Sequence, residues 1–174
     1  PRSTRKESSA ASDVYKRQDL SLEVHFQLNY KNEIIGKQKN QINFCFDDWN
    51  EVTNSRTFCL YEDIEKIKKA GLAKGGSLEN AIVVDANKVL NEGGLRNEKE
   101  FVNHKILDLA GDFLLSGYRV LGKIKCYQGG HELTNKFLRK LLNQKSSIKT
   151  IEMTNKLVSK ETNSNQFENI AVSA

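Results

Sequence analysis

His104 and Asp108 stand one helical turn apart, in a segment whose apolar residues recur at helical spacing. At about 100° per residue, Val102, Ile106, Leu109, Ala110 and Phe113 gather on one side, while His104, Asp108, Gly111 and Asp112 gather on the other. An imidazole and a carboxylate at this spacing come within about 6 Å at Cβ. Both are donors that suit a divalent metal such as zinc, and the glycine between the carboxylates leaves room for close approach. Two donors do not make a catalytic zinc centre, which needs three protein ligands and an open position. The same spacing also fits a plain solvated face, so these residues alone leave both readings open.

A second constellation is Gly129, Gly130 and His131, between an apolar alternating run and the last helical pattern. Such a turn lets backbone approach a ligand and sets an imidazole at a helix start. Asp112 is the candidate carboxylate to face it, and an imidazolium paired in this way is a good general acid. A capping or surface histidine remains the alternative. The third histidine, His25, falls on the polar face of the first strand and reads as exposed.

The elements that must position these groups follow from periodicity. Leu20 to Tyr30 alternates apolar and polar residues and predicts a strand. A polar turn through Lys31 to Lys39 leads to a second alternation, Ile42, Phe44 and Phe46, expected as its antiparallel partner. Asp47 or Asp48 can cap a short helix carrying Trp49 and Val52, and Glu62 to Ala70 predicts a helix closed by Gly71. Ala81 to Val84, with Val89 and Leu90, predicts a hairpin. Glu98 to Ser116 is the longest helical pattern, followed by a strand over Arg119 to Tyr127 and a helix over Glu132 to Asn143, whose Leu133, Phe137 and Leu141 are expected to close the core. The fold class expected is α+β, a two-layer sandwich of a mixed sheet on helices with a small βαβ/hairpin insert.

The 174 residues are expected to form one domain, with no second full-size domain among them. Residues 1–18, rich in Ser, Lys and Arg, read as a non-native or disordered leader, residues 19–143 as the domain, and residues 144–174 as a polar, flexible tail. No run of apolar residues is long enough to span a membrane, and no secretory signal is evident, so a cytoplasmic location is expected. The formal net charge of +5 points to anionic partners, but the basic residues are dispersed and no base-stacking motif interrupts them, which sets nucleic acid aside. Cys45, Cys59 and Cys126 are odd in number, with no C-x-x-C pair, and are expected as reduced core residues.

The stretches RTFCLYEDIEKIKKAGLAKGGSLENAIVVD, VLNEGGLRNEKEFVNHKILDLAGD and GGHELTNKFLRKLL, in that order, resemble the C-terminal half of UDP-3-O-acyl-N-acetylglucosamine deacetylase, the zinc amidase of lipid A biosynthesis in Gram-negative bacteria. The resemblance runs from about Leu20 to Leu142. It implies that His104 and Asp108 are two zinc ligands, that His131 is the catalytic general acid and that Asp112 orients it. It further implies that Thr57 assists at the oxyanion, that Phe58 packs on the sugar and that Lys105 lies near the substrate's charged groups. Ile64, Ala73, Ser77 and Ala81 would line an apolar passage for the acyl chain. The cofactor implied is Zn2+, the substrate UDP-3-O-acyl-N-acetylglucosamine.

The sequence also departs from the family. The third zinc ligand and the general-base glutamate belong to a Glu-His motif in an N-terminal domain, and no Glu-His dipeptide occurs here. The expectation is therefore half an active site that needs the missing N-terminal domain as its partner, with the isolated chain inactive. Gln128 stands where a lysine is usual, and Cys59 where a glycine is usual. The competing expectation is a non-catalytic module that binds a nucleotide sugar or an acyl chain.

Overall fold

A computed structural model of the chain describes residues 21–144, 146 and 148–151. The expected leader and most of the expected tail lie outside these residues. Strand β1 (Leu22–Asn29) turns Val24, Phe26 and Leu28 into the core and Gln27 and Asn29 outward, as alternation requires. It pairs antiparallel with β2 (Lys37–Asn43), placing Val24 opposite Ile42, and parallel with β6 (Gly122–Tyr127), placing Val24 opposite Ile124.

Strand β2 begins earlier than its apolar residues indicate. Its inward positions are Gln38 and Asn40, and these are satisfied by the long helix α3 (Glu100–Leu114). The Gln38 Oε1 accepts from Val102 N at 3.2 Å, and Asn40 Nδ2 donates to Asn103 Oδ1 at 2.7 Å. Polar residues inside a sheet erase the alternation that would have marked the strand. Phe44 and Phe46 consequently fall beyond it. Phe44 packs edge-on against Trp49, 5.6 Å between ring centroids, and Phe46 is exposed. Trp49 precedes the short helix α1 (Asn50–Thr53), and Asp48 Oδ1 accepts from Asn50 N at 3.0 Å.

A second small sheet has the order β3-β4-β5. Strand β3 (Thr57–Leu60), not foreseen from the sequence, pairs parallel with β4 (Ala81–Asp85), which forms a hairpin with β5 (Lys88–Val89). A 3-10 turn over Tyr61–Asp63 and helix α2 (Ile64–Lys69) lie between β3 and β4 in the chain, and Gly71 after α2 takes φ +70°, the left-handed conformation of a helix stop. The buried Asn91 side chain ties this sheet together, accepting from Val83 N and donating to Leu78 O and Ala81 O. The α+β class holds, with two small mixed sheets against helices in place of a single one.

Helix α3 buries Phe101, Val102, Ile106, Leu109 and Phe113, and these meet Val24, Phe26 and Leu28 in one core. Helix α4 (His131–Asn143) packs on α3 with a different face from the one expected: Thr134 and Leu138 are buried, while Leu133 and Phe137 are about half exposed. The first residue of α4, His131, bonds to α3 through Asp112 (Nδ1 to Oδ1, 2.9 Å), and positions three and seven residues further along share its face. That contact fixes the rotation of the helix and turns Leu133 and Phe137 aside, Phe137 keeping a tilted contact with Phe113. Cys59 and Cys126 are half-buried, but Cys45 is exposed, because it lies in the turn after β2 instead of in the core.

Candidate active site

Counting back from Asp112 in fours along α3 gives Asp108, His104 and Glu100. Each step of four overshoots a turn by about 40°, so the row winds across the helix from β3 towards the start of α4. His104 is held at both ring nitrogens. Its Nδ1 lies 3.2 Å from the backbone carbonyl of Ser55, and its Nε2 lies 3.2 Å from Asp108 Oδ1. A carbonyl only accepts, so Nδ1 carries hydrogen, and Nε2 is the nitrogen that faces Asp108.

Asp108 is mostly buried. Burial raises its pKa, but the hydrogen bond and charge of His104, with the Lys105 ammonium 3.0 Å from Oδ2, outweigh that and bring it from 3.8 to about 2. The carboxylate is thus ionised at neutral pH. Lys105 also lies over the Phe58 ring, 5.5 Å from its centroid. Phe58 in turn is wedged edge-on against Phe101 at 5.0 Å and Tyr30 at 5.8 Å, with the His104 ring 6.5 Å away.

His131 Nδ1 lies 2.9 Å and 3.0 Å from the two oxygens of the buried Asp112 carboxylate, so Nδ1 is the donor there. The other face of the ring is open to solvent, and its Nε2 comes within 3.9 Å of Asp108 Oδ2. A shallow cleft between α3 and the turn before α4 is lined by Phe26, Lys105, Asp108, Asp112, Gly129 and Gly130. Gly129 has no room for a side chain, since a Cβ there would overlap Cys126 Sγ and press on the Phe26 ring. Gln128, at φ +52°, directs its amide away from the cleft: Oε1 accepts from Asn29 N at 2.7 Å and Nε2 donates to Asn29 O at 2.8 Å.

The structure thus brings together His104, Asp108, Asp112, His131, Lys105 and Phe58. Thr57 begins β3, exposed, two residues after the Ser55 carbonyl that holds His104. Ala81 sits opposite Thr57 on β4, Ile64 is half-buried in α2, and Ala73 and Ser77 are exposed in the connection between α2 and β4. His25 is remote, half-buried on the outer face of β1 and bonded to Glu23. Sequence reasoning missed Arg56 and Glu100. The available signals were the glutamate one turn before His104 and the arginine immediately before Thr57.

Two ligands on a tetrahedral zinc, each about 2.0–2.2 Å from the metal, stand roughly 3.3–3.5 Å apart. His104 Nε2 and Asp108 Oδ1, at 3.2 Å, are close to that spacing, and Nδ1 is engaged by a carbonyl as ligating histidines require. The pair fits zinc as part of a donor set. Among the described residues, no group of three or more His, Cys, Asp or Glu side chains could hold a metal ion by itself.

A family profile described as UDP-3-O-acyl N-acetylglycosamine deacetylase matches residues 4–143. A UDP-3-O-acyl-N-acetylglucosamine deacetylase of Pseudomonas entomophila is 46% identical over 122 residues, covering 68% of this chain and 40% of the relative. The protein of the same description from Hahella chejuensis is 44% identical, covering 74% and 43%, and that from Campylobacter fetus 39% identical, covering 74% and 44%. The chain therefore spans about two fifths of the length of the curated relatives it matches. No helix among the described residues is long and apolar enough to cross a membrane.

Proposed function

Because the chain belongs to the UDP-3-O-acyl N-acetylglycosamine deacetylase family, we propose that it supplies one half of a zinc-dependent amide hydrolase, which removes the N-acetyl group of UDP-3-O-acyl-N-acetylglucosamine in lipid A biosynthesis. The observation that carries this reading is His131, anchored by Asp112 with its second nitrogen facing Asp108 across the cleft, beside the His104–Asp108 donor pair.

His104 and Asp108 would hold the zinc, with a further donor from outside the described residues. Zinc, when bound, supplies a Lewis acid that activates water and polarises a carbonyl. His131 holds a proton at Nε2, which it gives to the nitrogen as the carbon–nitrogen bond breaks, leaving acetate and the free amine. Asp112 keeps the imidazole in place and stabilises its charged form. Thr57 offers a hydroxyl to the developing oxyanion, Phe58 an aromatic face to the sugar and Lys105 a positive charge to the substrate's anionic groups. The βαβ and hairpin elements from Thr57 to Val89, with Ile64, Ala73, Ser77 and Ala81, would form the acyl passage. Gln128, committed to the Asn29 backbone, adds no charge to that contact.

The rest of the protein would cover the exposed apolar residues Leu114, Leu115, Leu133 and Phe137 on α3 and α4, and the location is cytoplasmic. The test is a full-length protein containing this chain, assayed with UDP-3-O-acyl-N-acetylglucosamine. Stoichiometric release of acetate and free amine, abolished by chelation and restored by zinc, is expected. Zinc-replete protein that binds the nucleotide sugar without releasing acetate would instead make the chain part of a binding module.

A further inference from the structure

Glu100 is fully buried at the start of α3, and Arg56 is nearly so. Their contact is a fork: Arg56 Nε donates to Oε1 at 2.9 Å and Nη2 to Oε2 at 3.1 Å, while Nη2 also donates to Gly94 O at 2.8 Å. The carboxylate accepts two backbone bonds besides, from Arg56 N at 3.1 Å and Arg96 N at 2.6 Å. Arg96 Nη1 then reaches back to Asn54 O at 2.8 Å, closing a ring of bonds around residues 54–56.

The consequence lies in a single peptide unit. The N–H of Arg56 and the C=O of Ser55 belong to the same rigid plane and point in opposite directions. The N–H is bonded to Glu100 and the C=O to His104 Nδ1, two residues one turn apart on α3. Tilting that plane would release the imidazole and displace Thr57 at the start of β3.

The geometry points to Glu100 and Arg56 as positioning residues that set the ring orientation of His104, and the hydrogen bond from its Nδ1, through the Ser55–Arg56 peptide. This rests on the reading of His104 as a metal ligand, but its first readout is independent of turnover. A structural pair elsewhere would stabilise the fold and leave the His104 ring indifferent; this pair stabilises the fold and orients the ring. Arg56→Lys keeps the charge and loses the fork, and Glu100→Asp keeps the charge and shortens the reach.

The experiment is nitrogen NMR of the metal-free 174-residue chain labelled at its 3 histidines, read at the hydrogen that His104 Nδ1 gives to Ser55 O. The unmutated chain should show His104 protonated at Nδ1. In Arg56→Lys and Glu100→Asp, folded by circular dichroism, that signature should weaken or vanish, and zinc affinity of the corresponding full-length proteins should fall about 10- to 100-fold. An unmutated chain whose His104 Nδ1 carries no hydrogen overturns the inference, as does a folded variant that keeps both the Nδ1 signature and its zinc affinity. If neither variant folds, the pair is a determinant of the fold and the positioning role is rejected. Full-length protein that is inactive while the Nδ1 signature responds as expected would reject the hydrolase reading and leave the positioning role standing.

Discussion

His131→Ala, made in the full-length protein, should lower kcat by about 10²- to 10⁴-fold, the usual contribution of a positioned general acid. The effect should fall on kcat and kcat/KM together, because the proton is needed as the amine departs and not when substrate binds. Metal content should be unchanged. His131 begins α4 and spends its Nδ1 on Asp112, so its removal leaves the His104–Asp108 pair untouched. The variant also leaves the buried Asp112 carboxylate without its partner, so circular dichroism should accompany the kinetics to show that α4 stays in place. Steady-state kinetics beside metal analysis checks both parts, and a His131→Ala protein with full activity would remove the residue from the mechanism.

Glu100→Gln should cost the folded chain roughly 3–5 kcal/mol, because it leaves the buried Arg56 guanidinium without its counter-charge. Domains of this kind are stable by only about 5–15 kcal/mol, so the loss is a large share of the total. Burial raises the pKa of Glu100, but bonds from the Arg56 side chain and from the Arg96 and Arg56 amides outweigh it and hold the carboxyl below its ordinary 4.5. The sign follows. Below 4.5 the unfolded chain takes up a proton before the folded one, so stability rises with pH there and the contribution of Glu100 is complete above 4.5. It is lost as pH falls through the depressed folded value. Urea unfolding at neutral pH and at pH below 4.5 should therefore show the gap between the unmutated chain and Glu100→Gln closing as the medium is acidified. A gap that widens would contradict the ion-pair account.

The candidate site was legible in α3 because a regular helix converts spacing directly into direction. Spacing alone sets His104, Asp108 and Asp112 on one face and offers Asp112 as the partner of His131. The supporting side was not readable. Arg56 and Glu100 are 44 positions apart, and nothing local in either segment reports that the two meet. Strand β2 escaped because Gln38 and Asn40 face inward and are satisfied by α3, so burial and polarity part company. The face of α4 was misjudged because two apolar stripes compete on that helix, and a tertiary bond from its first residue decides between them. Local periodicity carries the elements; long-range polar bonds decide how they meet.

The account depends above all on His104 and Asp108 acting together on one cation. The most direct measurement is the zinc content, after dialysis, of full-length proteins carrying His104→Ala, Asp108→Ala or His131→Ala. The account predicts that the first two lose zinc while His131→Ala retains it at full stoichiometry. A protein with both His104 and Asp108 replaced by alanine that still holds one tightly bound zinc would contradict it.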